Sequence, residues 1–480
     1  MSRLRAETSD DPVGTTQGAD QRRADQAPST RRLELVVLAA VVLVAAGLYG
    51  TVSLLSRPGP LADLTHYKYW AWLVTVHGLH AAYSGTYPET YAIYPPVTLL
   101  PYRLAGEAYR AAIDPTFALE RALQSHALTV LLRLAALGFH LLVGMLVFGV
   151  ARRLATFRTA LVALAAYLVN PGVVFDVAQW GQPDPIFGLF VAGALAAVAW
   201  PLTDAAPPGF VGLPSRRVLI SMALGGAAIA LAALAKPQAW VYLPLIGLLV
   251  LRRGGLVGAL AAAAAGGAAG LLVALPYLLH GTLRELLGLP HAITSVMPNV
   301  SANAHNLWWL VTQGAARWYL DQEIVVAPLS YRLVAFGLVG ACAGLALLRA
   351  WREPTLGGVF VAGAYTALAF FMGMTQIHEN HMYVVFPLLA VAAAQDRRLW
   401  PLYGVLALTW CANMALHDFD LAEQYVAPLL PWPLEQAQWI NALVNSVVFA
   451  LWTLWLLADT IHSWLRPRLR AARLPAATQP

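Results

Sequence analysis

Charge is scarce in this chain. Only 12% of its 480 residues are Asp, Glu, Lys or Arg, and 59% are hydrophobic. Soluble domains carry about 25% charged residues, so a soluble globular fold is excluded. Cysteine is nearly absent. Cys342 and Cys411 both fall inside long apolar runs, where they read as small core residues, and this argues against a disulfide framework or a zinc site. Lysine is equally rare: Lys68 and Lys236 stand against 29 arginines. There is no Walker A loop, no G-x-S-x-G, no dinucleotide fingerprint and no Cys/His zinc spacing. The apolar runs lack the period-2 alternation of a closed barrel, which leaves helices as the spanning element.

What is present is a series of apolar runs. Twelve of them, near 34–55, 127–151, 159–175, 185–201, 218–235, 239–251, 255–279, 331–348, 357–374, 382–395, 400–416 and 440–463, predict an all-α polytopic membrane protein of about twelve transmembrane helices. The net charge of +6 comes from short arginine clusters between these runs. That is the positive-inside pattern, not a nucleic-acid stripe, and no nucleic-acid partner is expected. With the N-terminus inside, every arginine pair falls on the cytoplasmic side. Both termini are then cytoplasmic in a multi-pass plasma (inner) membrane protein.

Residues 1–33 are polar and lack aromatics, and predict a disordered cytoplasmic tail. The first run lacks a cleavage site and predicts a signal anchor. Residues 34–464 form the membrane domain, and 465–480 a basic cytoplasmic tail. The outer segments are then 56–126, 176–184, 236–238, 280–330, 375–381 and 417–439. They hold most of the His, Trp, Tyr, Asn and acidic residues. Chemistry is therefore expected on the extracytoplasmic face.

Asp63 heads the first outer loop, an aromatic stretch that ends near Tyr94-Pro95-Pro96. A carboxylate at a membrane surface is costly and reads as functional, or as a solvated loop acid. Gln182 and Asp184 lie in the Pro/Gly turn Gln179–Pro185, where Asp184 is also a natural helix cap. Lys236, in the turn Lys236-Pro237-Gln238, is a compact point charge suited to phosphate, or a snorkelling lysine. His378-Glu379-Asn380-His381 lacks zincin spacing and fits sugar or phosphate recognition better than metal. Asn306 and Trp308 suit hydroxyl recognition and ring stacking, or an interfacial aromatic belt. Arg133, near the outer end of the second run, meets a phosphate or snorkels.

Taken in order, these motifs resemble the GT-C glycosyltransferases. The similarity is greatest to bacterial relatives of the dolichyl-phosphate-glucose-dependent glucosyltransferases and mannosyltransferases, and covers about residues 34–400. The resemblance implies a GT-C-like fold with a long first extracytoplasmic loop. It implies a hexosyltransferase that takes its sugar from a polyprenyl phosphate and passes it to a lipid-linked or glycan acceptor. Asp63 becomes the general base of an inverting single displacement. Lys236, His378, Glu379, Gln182, Asp184, Arg133, Asn306, Trp308 and Tyr94 become substrate-binding residues. No cofactor is implied, and a divalent metal stays open. The sequence departs from the family where Asn380 follows His378-Glu379 in place of lysine, and where Ala302-Asn303-Ala304-His305 replaces a charged stretch. The rival readings are a twelve-span secondary transporter and a lipid flippase.

Overall fold

The structure is a computed structural model that describes residues 28–55, 61–85, 92–200, 212–418 and 421–473. For residues 28–30, 61–62 and 463–473 only the backbone is described. Residues 1–27 of the expected tail lie outside the described residues. Residues 28–33 are helical: the first helix, α1, spans Pro28–Leu55. Residues 46–480 form one compact unit.

Fourteen helices exceed ten residues among the described residues. After α1 come α2 (Leu61–Val76), α3 (Pro96–Ala112), α4 (His126–Leu154), α5 (Phe157–Leu168), α6 (Asp184–Ala199) and α7 (Arg216–Ala233). Then follow α8 (Leu243–Leu279), α9 (Leu283–Val296), α10 (Tyr331–Arg352), α11 (Leu356–Gly373), α12 (Val385–Gln395), α13 (Trp400–Ala415) and α14 (Leu434–Arg473). A small antiparallel hairpin, β1 (Ile324–Val326) and β2 (Leu329–Ser330), precedes α10. Short polar side chains start many of the helices. The hydroxyls of Ser125, Thr156, Ser215, Ser330 and Thr355 accept from the first-turn amides of α4, α5, α7, α10 and α11, which satisfies donors that a helix leaves open.

Each of the twelve apolar runs falls largely on helix, but the helices differ in length. Among the described residues, seven helices are each long and apolar enough to cross a membrane. The count rises to eight if α5 and the bent segment Pro171–Trp180, 46° away, are taken together. Two features account for the difference from twelve. Runs 239–251 and 255–279 adjoin at Gly255, whose φ 57° and ψ −157° are not helical but open to glycine, so the stretch counted as one is two helices separated by a kink. Runs 382–395 and 400–416 become α12 and α13, of 11 and 16 residues. A span needs about 20.

The first outer segment also differs from a loop. Leu64, Tyr67, Ala71 and Val74 recur at helical spacing, and all are buried in α2. They pack with Trp70, Tyr102 and Tyr109 in an aromatic core. Residues 56–60 and 86–91 of that segment lie outside the described residues.

Helix α11 is central: 89% of its apolar window is buried, against 6% for Pro237–Leu279. Its small residues allow this close approach. A Cβ at Gly363 would lie 2.7 Å from Leu195 of α6. The two ends of the bundle differ in chemistry. At one end Arg253 donates to the carbonyls of Val198 and Ala199, where α6 ends, and to that of Pro354, just before α11. The opposite end, where α6 begins at Asp184, gathers the polar outer segments.

Candidate active site

Four sequence-distant turns meet at the Asp184 end. The Pro95-Pro96 turn is fixed first. Pro96 occupies the first helical position of α3, where a missing N–H costs nothing. The Val97 amide donates to the Leu234 carbonyl at 2.9 Å, and the Thr98 hydroxyl to the Ala235 carbonyl at 2.7 Å. These bonds set the Tyr94 turn against the Lys236 turn.

The turn after α5 is fixed next. Residues Phe175–Trp180 form a single wide π-turn, closed by the Gln182 amide on the Asp176 carbonyl at 3.0 Å. Gly181 ends it with φ +80°, and a Cβ there would lie 3.1 Å from the Arg133 side chain. The positive φ favours glycine, and a side chain there would also press on Arg133. Arg133 is itself fully buried. Its guanidinium donates to the Ser53 carbonyl at 3.0 Å and to the Gln179 carbonyl. It therefore staples α1 and the π-turn to α4.

These turns converge on two acids. Asp184 is fully buried and opens α6. Its Oδ1 accepts from Lys236 Nζ at 2.7 Å, and its Oδ2 from Asn380 Nδ2 at 2.9 Å. Lys236 is 1% exposed, and its ammonium also lies 5.1 Å from the Tyr94 ring centre. Asp63 sits in the first turn of α2 and is only partly buried. Its Oδ2 accepts from Gln182 Nε2 at 3.1 Å. Gln182 Oε1 accepts in turn from the hydroxyls of Tyr67 at 2.8 Å and Tyr94 at 3.3 Å. Burial raises the Asp63 carboxyl above its ordinary value, and the nearby His66 ring, the Trp180 indole, the Gln182 amide and the Lys236 charge partly offset this.

Glu379 stands on the far side. It is 6% exposed, and its Oε2 has no hydrogen-bond partner. Its Oε2 is 3.9 Å from His378 Nδ1. Burial pushes its carboxyl up to about 7, and the neighbouring Asp63 charge adds to that rise. The Trp410 indole donates to its backbone carbonyl at 2.7 Å and fixes the turn. His381 does not pair with His378 around a metal: its Nδ1 accepts from the His378 amide at 3.3 Å, as a cap. Among the described residues no group of three or more His, Cys, Asp or Glu side chains could hold a metal ion.

The outer segment 298–306 closes this side through bridges from Ala302 and Asn303 to His378. Asn306 is fully buried. Its Oδ1 caps the short helix Leu307–Val311 by accepting from the amides of Trp308 and Trp309. The Trp308 indole donates to the Gly373 carbonyl at 2.9 Å. Both side chains thus face the interior scaffold.

The structure adds residues that the sequence reading passed over. Arg317 donates to Asn303 Oδ1 at 2.6 Å, stays half-exposed, and lies close enough for its charge to act on Glu379. Arg57, Arg103, Arg110, Arg121 and Arg284 also fall in the expected outer segments, so residue type alone did not single it out. Tyr67 was visible only as one aromatic among many. His305 and His417 share a 3.0 Å contact between their Nε2 atoms beneath the same segment, and nothing in their spacing announces it.

No family model and no curated protein matches the sequence. The chain is similar to ArnT from Cupriavidus metallidurans bound to undecaprenyl phosphate, at 16% identity and a TM-score of 0.46, over 90% of this chain and 78% of that one. The apo state of ArnT gives 16% identity and a TM-score of 0.47, with the same coverage. The oligosaccharyltransferase of Archaeoglobus fulgidus in its apo form gives 12% identity and a TM-score of 0.44. That match covers 91% of this chain but 56% of the oligosaccharyltransferase, so the chain spans little more than half of it.

Proposed function

We propose that this chain is a membrane glycosyltransferase. It moves a hexose from a polyprenyl phosphate to a hydroxyl of a lipid-linked or glycan acceptor, at the extracytoplasmic face of the inner membrane. Residues 34–464 form the transferase domain, with both termini cytoplasmic. One observation carries the reading. Asp63 is the partly exposed acid of a site whose other acids, Asp176, Asp184 and Glu379, are buried. A carboxylate that is raised in basicity yet open on one side fits general-base work.

In the proposed step the acceptor oxygen attacks the anomeric carbon and its proton passes to Asp63. The new glycosidic C–O bond forms as the C–O bond to phosphate breaks. The polyprenyl phosphate leaves as an anion, so it needs a cation and not a strong acid. Lys236 is committed to Asp184 and serves as scaffold. Arg317 is the half-exposed cation on the Glu379 side, and we assign the donor phosphate to it. Gln182, Tyr94 and Arg133 hold the base and its turns in place. The clustering of polar groups at one end of the bundle favours this reading over a transporter, whose site would lie near mid-bilayer.

The test is transfer by the purified chain from a panel of synthetic polyprenyl-phosphate sugars to membrane lipid extract. Transfer from a hexose donor supports the reading. Transfer only from a non-hexose donor corrects the sugar, and no transfer from any donor removes the proposed class.

A further inference from the structure

An amide has two chemically different ends. The oxygen only accepts hydrogen bonds and the nitrogen only donates them. Gln182 is 2% exposed, so water does not blur the distinction. Two phenol hydroxyls, Tyr67 at 2.8 Å and Tyr94 at 3.3 Å, meet its Oε1, and its Nε2 meets Asp63 Oδ2 at 3.1 Å. Turning the amide over would set Oε1 against Asp63. That contact is tolerable only if Asp63 carries a proton. It would also take from both hydroxyl protons the acceptor they now share, at a cost that buried polar groups resist.

The two phenols are themselves held. Tyr67 is 2% exposed and packs at 5.4 Å against Tyr102, ring centre to ring centre. The Tyr94 carbonyl accepts from the Tyr83 hydroxyl at 2.6 Å, and the Lys236 ammonium lies over the Tyr94 ring. The buried Asp184–Lys236 pair thus reaches Asp63 through Tyr94 and Gln182.

We propose that Tyr67 and Tyr94 are positioning residues which lock the Gln182 amide with its N–H toward Asp63, so that Oδ2 is held as an acceptor and Oδ1 is the atom that takes the substrate proton. The direction of the amide and the protonation of Asp63 are then one linked equilibrium. The other groups facing Asp63 are His66 on its own helix, the Trp180 indole at the end of the π-turn, Lys236 and Glu379 on the opposing turns, and Tyr102 on α3. They stay in place when the two hydroxyls are removed.

This inference rests on the reading of Asp63 as base, and its test separates the two. Infrared difference spectra of the full-length protein in nanodiscs follow the protonated-carboxyl stretch against pH. Subtraction of the Asp63→Asn spectra isolates the Asp63 band. In the Tyr67→Phe/Tyr94→Phe protein the midpoint is expected to rise by about one unit, the scale of a lost charge-stabilising hydrogen bond. The acid limb of kcat/KM for transfer should rise with it. Tyr94→Phe alone keeps the ring under Lys236 and the Tyr67 bond, so it should fold and shift in the same direction by less. That single variant decides the matter if the double variant does not fold. An unchanged infrared midpoint overturns the lock. A shifted midpoint with an unmoved acid limb supports the lock and removes Asp63 as the base.

Discussion

Asp184 and Asp63 belong to the same end of the bundle, yet their surroundings are opposite. Asp184 is wholly buried, with a lysine on one oxygen and an asparagine on the other. Asp63 is partly open, with an amide on one oxygen. A buried charge survives only when its lone pairs are met. A carboxylate that must accept a proton needs the reverse: an exposed oxygen and a raised affinity for it. The fold therefore uses one acid to hold four turns together and presents the other. Glu379 lies between the two cases, buried like Asp184 but with an unmet oxygen.

The contrast can be broken from either side. Lys236→Ala strands Asp184 in the interior, and the expected loss is about 3–5 kcal/mol of stability. Unfolding of the purified protein in detergent measures it. The paired change Lys236→Met with Asp184→Leu should recover much of that loss, because no unpaired charge then remains. Arg317→Ala should leave stability nearly unchanged and raise KM for the polyprenyl-phosphate donor by roughly tenfold, the scale of one charge-assisted bond. Initial rates across donor concentration separate KM from kcat.

Glu379 sharpens the middle case. Its folded carboxyl is raised to about 7 from an ordinary 4.5. The folded state thus binds the proton more tightly than the unfolded state. The resulting stability is present in full below the ordinary value and is lost as pH rises through about 7. Glu379→Gln should flatten the dependence of melting temperature on pH between these limits. The smallest effect is expected at Asn306. Asn306→Ala removes a helix cap and should cost about 1 kcal/mol. Donor and acceptor KM should not change, since Asn306 faces the scaffold.

Much of this arrangement was legible in the sequence. Hydropathy placed helices on the twelve apolar runs but missed α2, α3 and α9, which lie in segments read as outer loops. The segments carrying Asp63, Gln182, Asp184, Lys236 and Asn380 do meet, through bonds of 3.1 Å or less. What the sequence hid was partnership. A lysine in a turn reads the same whether it awaits a phosphate or already holds Asp184. Arg133 reads as a snorkelling cation until Ser53 and Gln179 are brought to it by folding. Span number was hidden for another reason. Hydropathy does not give the length of the helix that an apolar run forms, and α12 is an 11-residue helix surrounded by protein.

The most direct measurement compares wild type with Asp63→Asn in transfer of labelled hexose from a synthetic polyprenyl-phosphate donor to membrane lipid. The substitution keeps the shape of the side chain and removes its basicity. Transfer is expected to fall by about 10²–10⁴-fold, with the melting temperature unchanged. Transfer retained at the wild-type rate by a folded Asp63→Asn protein would contradict the assignment of Asp63 as the base.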